Sequence, residues 1–246
     1  MKRQNKTAKQ AVEKTKDKIQ EGAHAESDAK SVRRCPNRLL SFGLLLSVAA
    51  FFALTFLVST TSVLSFDLQI TRALQSLNYP PVVWAMSLVS WIGYAPQAYI
   101  IVGLSAMLLY GFGLHLEAFV SLIASILIQA LNILVKIVVH RPRPTDSIVH
   151  VFNTLSGYSF PSGHVMFYTV FFGFNWFLSF TLLPHSWKRT LLLIIFGGLV
   201  LMVGVSRIYL GEHWASDVAG AYLLGGIVLT GAIQFCLWGK KRYFPI

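Results

Sequence analysis

The sequence predicts an all-α, polytopic membrane protein, and three observations carry that prediction. Of the 246 residues, 54% are hydrophobic and 13% are charged, where soluble domains run at roughly 45–50% apolar and about 25% charged. Apolar runs long enough to cross about 30 Å of hydrocarbon recur from residue 39 onward. Most charged residues fall in the first 38 positions or at the ends of those runs, where they read as topology determinants. The net charge of +11, distributed in this way, does not describe a groove that tracks nucleic acid.

Taken in order, residues 1–38 hold 11 Lys and Arg against 5 acids without an apolar run, and are read as a polar, basic cytoplasmic tail. A domain of six transmembrane helices is expected over 39–238, with spans at 39–60, within 82–110, and at 116–139, 165–183, 190–205 and 218–238. Between the first two, residues 66–79 are amphipathic and are placed at the outer surface. The second span contains Pro96, which a membrane helix tolerates with a kink. In the third, Gln129 and Asn132 are read as hydrogen-bonding groups between helices, and the pairs Gly197–Gly198 and Gly225–Gly226 as close helix contacts. Residues 239–246 close the chain with Lys240, Lys241 and Arg242. Cys35 and Cys236 offer neither a metal site nor a disulfide framework.

The basic tail, Lys188 with Arg189, and Lys240–Arg242 fall on one side of a six-span layout, which the positive-inside rule assigns to the cytoplasm. Lys136, Arg141, Arg143 and Arg207 then lie on the opposite side, against the rule. Charges at the hydrocarbon boundary are costly without a compensating anion, and a bound phosphate compensates them.

Three separated segments meet on that outer side: Lys136–Pro144, Pro161–His164 and Ser206–Asp217. His213 and Asp217 are spaced i,i+4, so at the start of the sixth helix they share a face. The carboxylate then holds one ring nitrogen and leaves the other for the site. Lys136, Arg143 and Arg207 offer positive charge to the equatorial oxygens of a transferring phosphoryl group. Ser162 and Gly163 present a hydroxyl and free amides at a helix start, where the dipole favours an anion. His164 is the acid candidate for the leaving group. In the loop, Arg141 is given a structural or solvated role, and His140 and His150 are read as hydrogen-bonding residues. Phe152, Tyr158 and Phe160 are candidates to line the mouth of the site, Glu212 is read as solvated or as tuning its neighbour His213, and Trp214 as packing.

These segments resemble the three-part signature of the type 2 phosphatidic acid phosphatase family, the membrane lipid phosphatases related to vanadium haloperoxidases. The signature reads Lys, six residues, Arg-Pro; Pro-Ser-Gly-His; and Ser-Arg, five residues, His, three residues, Asp. Here it is Lys136 with Arg143-Pro144, Pro161-Ser162-Gly163-His164, and Ser206-Arg207 with His213 and Asp217. The resemblance implies His213 as a nucleophile forming a phosphohistidine, Asp217 as its orienting partner, and His164 as general acid. Lys136, Arg143, Ser162, Gly163 and Arg207 become the phosphate cradle, and no metal or cofactor is expected. The implied substrate is a lipid phosphate or isoprenoid diphosphate in a cell membrane, with undecaprenyl diphosphate or phosphatidylglycerol phosphate preferred. Transfer of the phosphoryl group to an acceptor other than water, and transport of an anionic lipid without turnover, remain open alternatives.

Overall fold

The computed structural model describes residues 38–243, so the expected tail up to residue 37 and the last three residues lie outside the described part. The chain divides into two compact units, 1–46 and 47–246. The described part of the first is residues 38–46, the opening of the first helix, and the second contains all the other helices.

Eight helices account for most of the described residues: α1 (Arg38–Thr60), α2 (Ser65–Gln75), α3 (Pro80–Trp91), α4 (Gln97–Gly111), α5 (His115–Val139), α6 (Gly163–Leu182), α7 (Trp187–Tyr209) and α8 (Ala215–Tyr243). α2 is the amphipathic element expected at 66–79. Pro80 and Pro81 open α3, where a missing amide costs nothing and the fixed φ suits the first turn.

Among the described residues five helices, α1, α5, α6, α7 and α8, are long and apolar enough to cross a membrane. The expected count of six is therefore corrected, and the discrepancy lies in the second span. Residues 82–110 form two helices, α3 and α4, separated by a turn over 92–96. Pro96 has no N–H to continue the ladder and its ring crowds the preceding turn. Here it neither kinks nor ends a helix: α3 stops at Trp91, and Pro96 is the N-cap residue of α4. α4, at 15 residues, is about 22 Å long, short of the hydrocarbon thickness of about 30 Å.

α6 is the central helix. Of its most apolar stretch 61% is buried, against 11% for α1, and it packs against α5, α7 and α8. Small residues let the backbones approach, as is usual where lipid competes equally for apolar surface. A side chain at Gly225 would meet Thr169 Cβ at 2.9 Å, and one at Gly173 would meet Leu229 at 2.7 Å. Of the two glycine pairs read as contacts, Gly225 and Gly197 have neighbours within 4 Å, whereas Gly198 and Gly226 face open space. Asn132 bonds between helices as expected, its amide nitrogen donating to Met166 Sδ of α6 at 3.3 Å, and it also donates to the Pro161 carbonyl in the loop at 3.0 Å. At the end remote from the chemistry, Lys240 of α8 pairs with the buried Glu117 of α5. Cys236 is a buried free thiol.

The helices α5 to α8 alternate in direction. The C-terminal ends of α5 and α7 and the N-terminal ends of α6 and α8 therefore meet at one end, joined by the irregular segment 140–162. The positive dipole ends of α6 and α8 are offset there by the negative ends of α5 and α7, so an anion is favoured locally, at the free amides that open α6 and α8.

Candidate active site

His213 sits just before α8, not on it: the helix begins at Ala215, so the expected shared helical face is replaced by a turn-to-helix contact. Asp217 occupies the first turn and accepts the Trp214 amide at 2.8 Å, a capping bond that fixes its carboxylate. His213 Nδ1 lies 3.5 Å from Asp217 Oδ2. The same carboxylate oxygen accepts the Ser159 hydroxyl. Gly211 makes the turn possible. Its φ is +68°, and a side chain there would strike the His150 carbonyl oxygen at 2.1 Å.

The other ring nitrogen of His213, Nε2, faces Arg143 Nη1 at 3.2 Å. Arg143 is itself held by the carbonyls of Glu212 at 2.8 Å and Gly157 at 3.1 Å. Burial lowers the pKa of Arg143, and the Asp217 carboxylate opposes that shift. His213 is buried, and burial first, then the positive charges of Arg143, Arg207 and Lys136, hold its imidazole well below the ordinary histidine range. A neutral ring at pH 7 has a free lone pair on one nitrogen, which a nucleophile needs.

Arg207, at the end of α7, is fully buried. It donates to Ser90 Oγ and to Tyr94 Oη at 3.2 Å, and it forms an ion pair with Glu212. That last contact is one of charge, without hydrogen-bond alignment, and Arg207 Nε has no hydrogen-bond partner. Glu212 is thus buried and paired, which replaces the solvated reading. Its Oε1 accepts Tyr94 Oη at 2.8 Å and Asn153 Nδ2 at 3.2 Å.

Lys136 donates to the Tyr158 carbonyl at 2.7 Å, which holds the ammonium at the edge of the same loop. Ser162 is the N-cap residue of α6, and its buried hydroxyl has no partner. Gly163 begins the helix, its α-carbon so near Asn132 that a side chain would meet Oδ1 at 3.1 Å. His164 follows, with Nε2 buried and unpartnered and its ring edge-on to Tyr94 at 4.6 Å between centroids.

The structure places the candidate residues at this one end of the bundle. His213, Asp217 and Arg143 are in direct contact. Arg207 and His164 are joined to them through Tyr94 and Glu212. Ser206, the remaining member of the signature, turns away and donates to the Met86 carbonyl at 2.7 Å, tying α7 to α3.

Other loop readings resolve individually. Arg141 is structural: its guanidinium is buried and contacts Asp67 at 2.7 Å and Asp217 at 2.6 Å. Phe160 is fully buried and stacks on Phe51, so it does not line a mouth. Phe152 stacks on Tyr209, and Tyr158 remains partly exposed with His140 against its ring. His150 packs on Phe152 and gives its carbonyl to Gln75. Trp214 is buried, and its indole N–H reaches the Pro142 carbonyl at 3.3 Å.

Four contributors escaped the sequence reading: Asp67, Ser90, Tyr94 and Ser159. Asp67 had one available signal, being one of five acids beyond residue 38, with Glu117, Asp146, Glu212 and Asp217. Tyr94 was hidden by the assumption of one continuous span.

A cavity of about 580 Å³ opens beside His164 and Gly163, lined by Tyr94, Val102, Gln129 and Asn132 among others. A larger one of about 780 Å³, lined largely by apolar residues such as Leu108, Phe112 and Leu183, contains none of the candidate residues. Gly93 shapes the first cavity, because a methyl group there would meet His164 Cδ2 at 2.4 Å and Tyr168 at 2.8 Å. Gly93→Ala is expected to displace the His164 ring and lower turnover by roughly tenfold to a hundredfold. Turnover measured alongside thermal unfolding checks this, the melting temperature being expected to change little.

Among known proteins, residues 114–240 match the PAP2 superfamily. Phosphatidylglycerophosphatase B of Bacillus subtilis is 35% identical over 99 residues, 39% of this chain and 47% of that protein. A putative undecaprenyl-diphosphatase of Escherichia coli, YbjG, is 37% identical over 86 residues, 35% of this chain and 39% of the relative. The matched part thus spans less than half the length of these curated relatives. The fold is that of a crystal structure of a transmembrane PAP2-type phosphatidylglycerolphosphate phosphatase from Bacillus subtilis. That similarity has a TM-score of 0.71 at 24% identity and covers 82% of this chain and 98% of the solved one.

Proposed function

The chain belongs to the PAP2 superfamily, and on that premise we propose that it removes the terminal phosphate of a membrane lipid phosphate or diphosphate without a metal ion. The observation that carries the proposal is the two-sided hold on His213, with Asp217 at Nδ1 and Arg143 at Nε2. A ring fixed in this way points its Nε2 lone pair at Arg143, one of the cations that would hold a phosphoryl group, so phosphate drawn onto that guanidinium meets the nucleophile.

In the proposed reaction Nε2 of His213 attacks phosphorus, the bond to the leaving oxygen breaks, and His164 gives that oxygen its proton. Asp217 balances the positive charge of the phosphorylated ring. His164, now neutral, takes a proton from water as the water oxygen attacks phosphorus. The phosphorus–nitrogen bond breaks, releasing phosphate and neutral His213. Lys136, Arg143 and Arg207 stay on the phosphoryl oxygens throughout, with Ser162 Oγ and the first amides of α6, where stabilisation of the shifting charge is worth most.

Undecaprenyl diphosphate and phosphatidylglycerol phosphate are the preferred substrates, held with the lipid part along the cavity beside His164. With α3 and α4 together taken as one further crossing beside the five long helices, the positive-inside rule puts both termini in the cytoplasm and the site at the outer membrane–water interface. Purified protein in detergent with chelator, offered each of these lipids, phosphatidate and a soluble phosphate ester, is expected to release phosphate faster from a lipid than from the ester. No release from any, by folded protein, would overturn hydrolysis.

A further inference from the structure

The reaction needs a carboxylate beside His213 that retains negative charge, and Asp217 alone does not provide one. Its Oδ1 lies 2.6 Å from Arg141, whose guanidinium is fully buried, so that pair sums to zero. A second carboxylate meets the other arm of the same guanidinium, Asp67 of α2, at 2.7 Å. Asp67 is 0% exposed although its neighbours Phe66 and Ile70 are 41% and 40% exposed. It also accepts the Ser216 amide and hydroxyl, each at 2.8 Å, while Arg141 completes its set with the Ser62 carbonyl at 3.0 Å and the Ser216 hydroxyl at 2.7 Å.

Two carboxylates on one guanidinium leave one net negative charge in a cluster closed to water. Where water screens little, the sum of charges matters more than any single contact. Asp67 lies outside the residues that match the family.

We propose that Asp67 is a positioning residue for catalysis: acting through Arg141, it leaves Asp217 with the net charge that orients His213 and stabilises its phosphorylated ring. The inference rests on the reading of His213 as nucleophile. It makes α2 a strut that joins the surface of the bundle to the reacting nitrogen.

Other charged and titratable groups surround this cluster. Lys136 of α5, Arg143 of the loop and Arg207 of α7 act on His213, as His213 does on His164 of α6. Glu212 and Tyr94 face Arg207. All stay unchanged in the test, which alters only Asp67 and Arg141. The readout is the rate at which radiolabelled phosphate from a lipid substrate loads onto the protein in a single turnover, measured against pH.

Asp67→Asn removes the net negative charge, Arg141→Gln doubles it, and the double variant restores the wild-type sum. Only a neutral imidazole attacks, and fewer negative charges make its protonation harder. Asp67→Asn is therefore expected to move the acidic limb down by about one pH unit and to slow loading roughly tenfold. Arg141→Gln moves the limb up, and the double variant brings it back towards wild type. A purely structural role would cut the rate or the folded yield in all three and leave one common limb, and that result overturns the proposal. Where Asp67→Asn does not fold, the direction of the Arg141→Gln shift decides. Wild-type protein that loads no phosphate overturns the nucleophile reading, and this inference with it.

Discussion

Replacing His213 by alanine is expected to lower phosphate release by at least about four orders of magnitude, the scale on which removal of a covalent nucleophile acts. The loss follows from geometry that no neighbour can reproduce. His164, the other histidine given a chemical role, is edge-on to Tyr94 and is not among the groups that Asp217 contacts. A steady-state assay on the preferred lipid, with binding of unreacted substrate measured separately, separates lost chemistry from lost affinity. The proposed cradle of Lys136, Arg143 and Arg207 is left unaltered by the substitution, so binding is expected to persist. Removing the imidazole even lets Arg143, 3.2 Å from it in the wild type, turn wholly to phosphate.

The second large effect is on His164. Its Nε2 is buried without a partner, on a cavity able to receive the leaving group. His164→Ala is expected to cost roughly a hundredfold to ten-thousandfold with a lipid alkoxide leaving group, the usual range for a lost general acid. With an aryl phosphate the leaving oxygen departs without a proton, and the deficit is expected to shrink to less than about tenfold. Turnover of the variant on the two substrate types is the measurement. Equal losses on both would show that His164 does not protonate the leaving oxygen.

How far the sequence foretold this site depends on whether a partner is near in the chain. Lys136 to Pro144, Pro161 to His164 and Ser206 to Asp217 are short, contiguous patterns, so spacing alone suggested which residues converge. The five long helices were equally visible, because uninterrupted hydropathy needs no tertiary information. The second span was misread because hydropathy runs on through residues 92–96, while there the chain leaves α3 at Trp91 and turns to start α4 behind Pro96. That break delivers Tyr94 between His164, Arg207 and Glu212. The i,i+4 spacing of His213 and Asp217 suggested their contact for the wrong local reason: Asp217 caps α8 and His213 lies in the turn before it.

The remaining contributors were illegible for a physical reason. Asp67 is 74 residues from Arg141 and 149 from Ser216, and Ser159 is 58 from Asp217. Nothing local marks a carboxylate or hydroxyl as destined for a buried cluster. Burial alone separates Asp67 from an ordinary surface acid on an amphipathic helix.

The most direct test of the central claim is rapid acid-free quenching of the wild-type protein during turnover of a lipid whose terminal phosphate is radiolabelled, followed by mapping of the protein-bound label. The account predicts a bond that survives base and is lost in acid, on the peptide that contains His213, and no label in the His213→Ala variant. Label on another residue, or turnover without any protein-bound phosphate under conditions that trap a phosphohistidine, would contradict it.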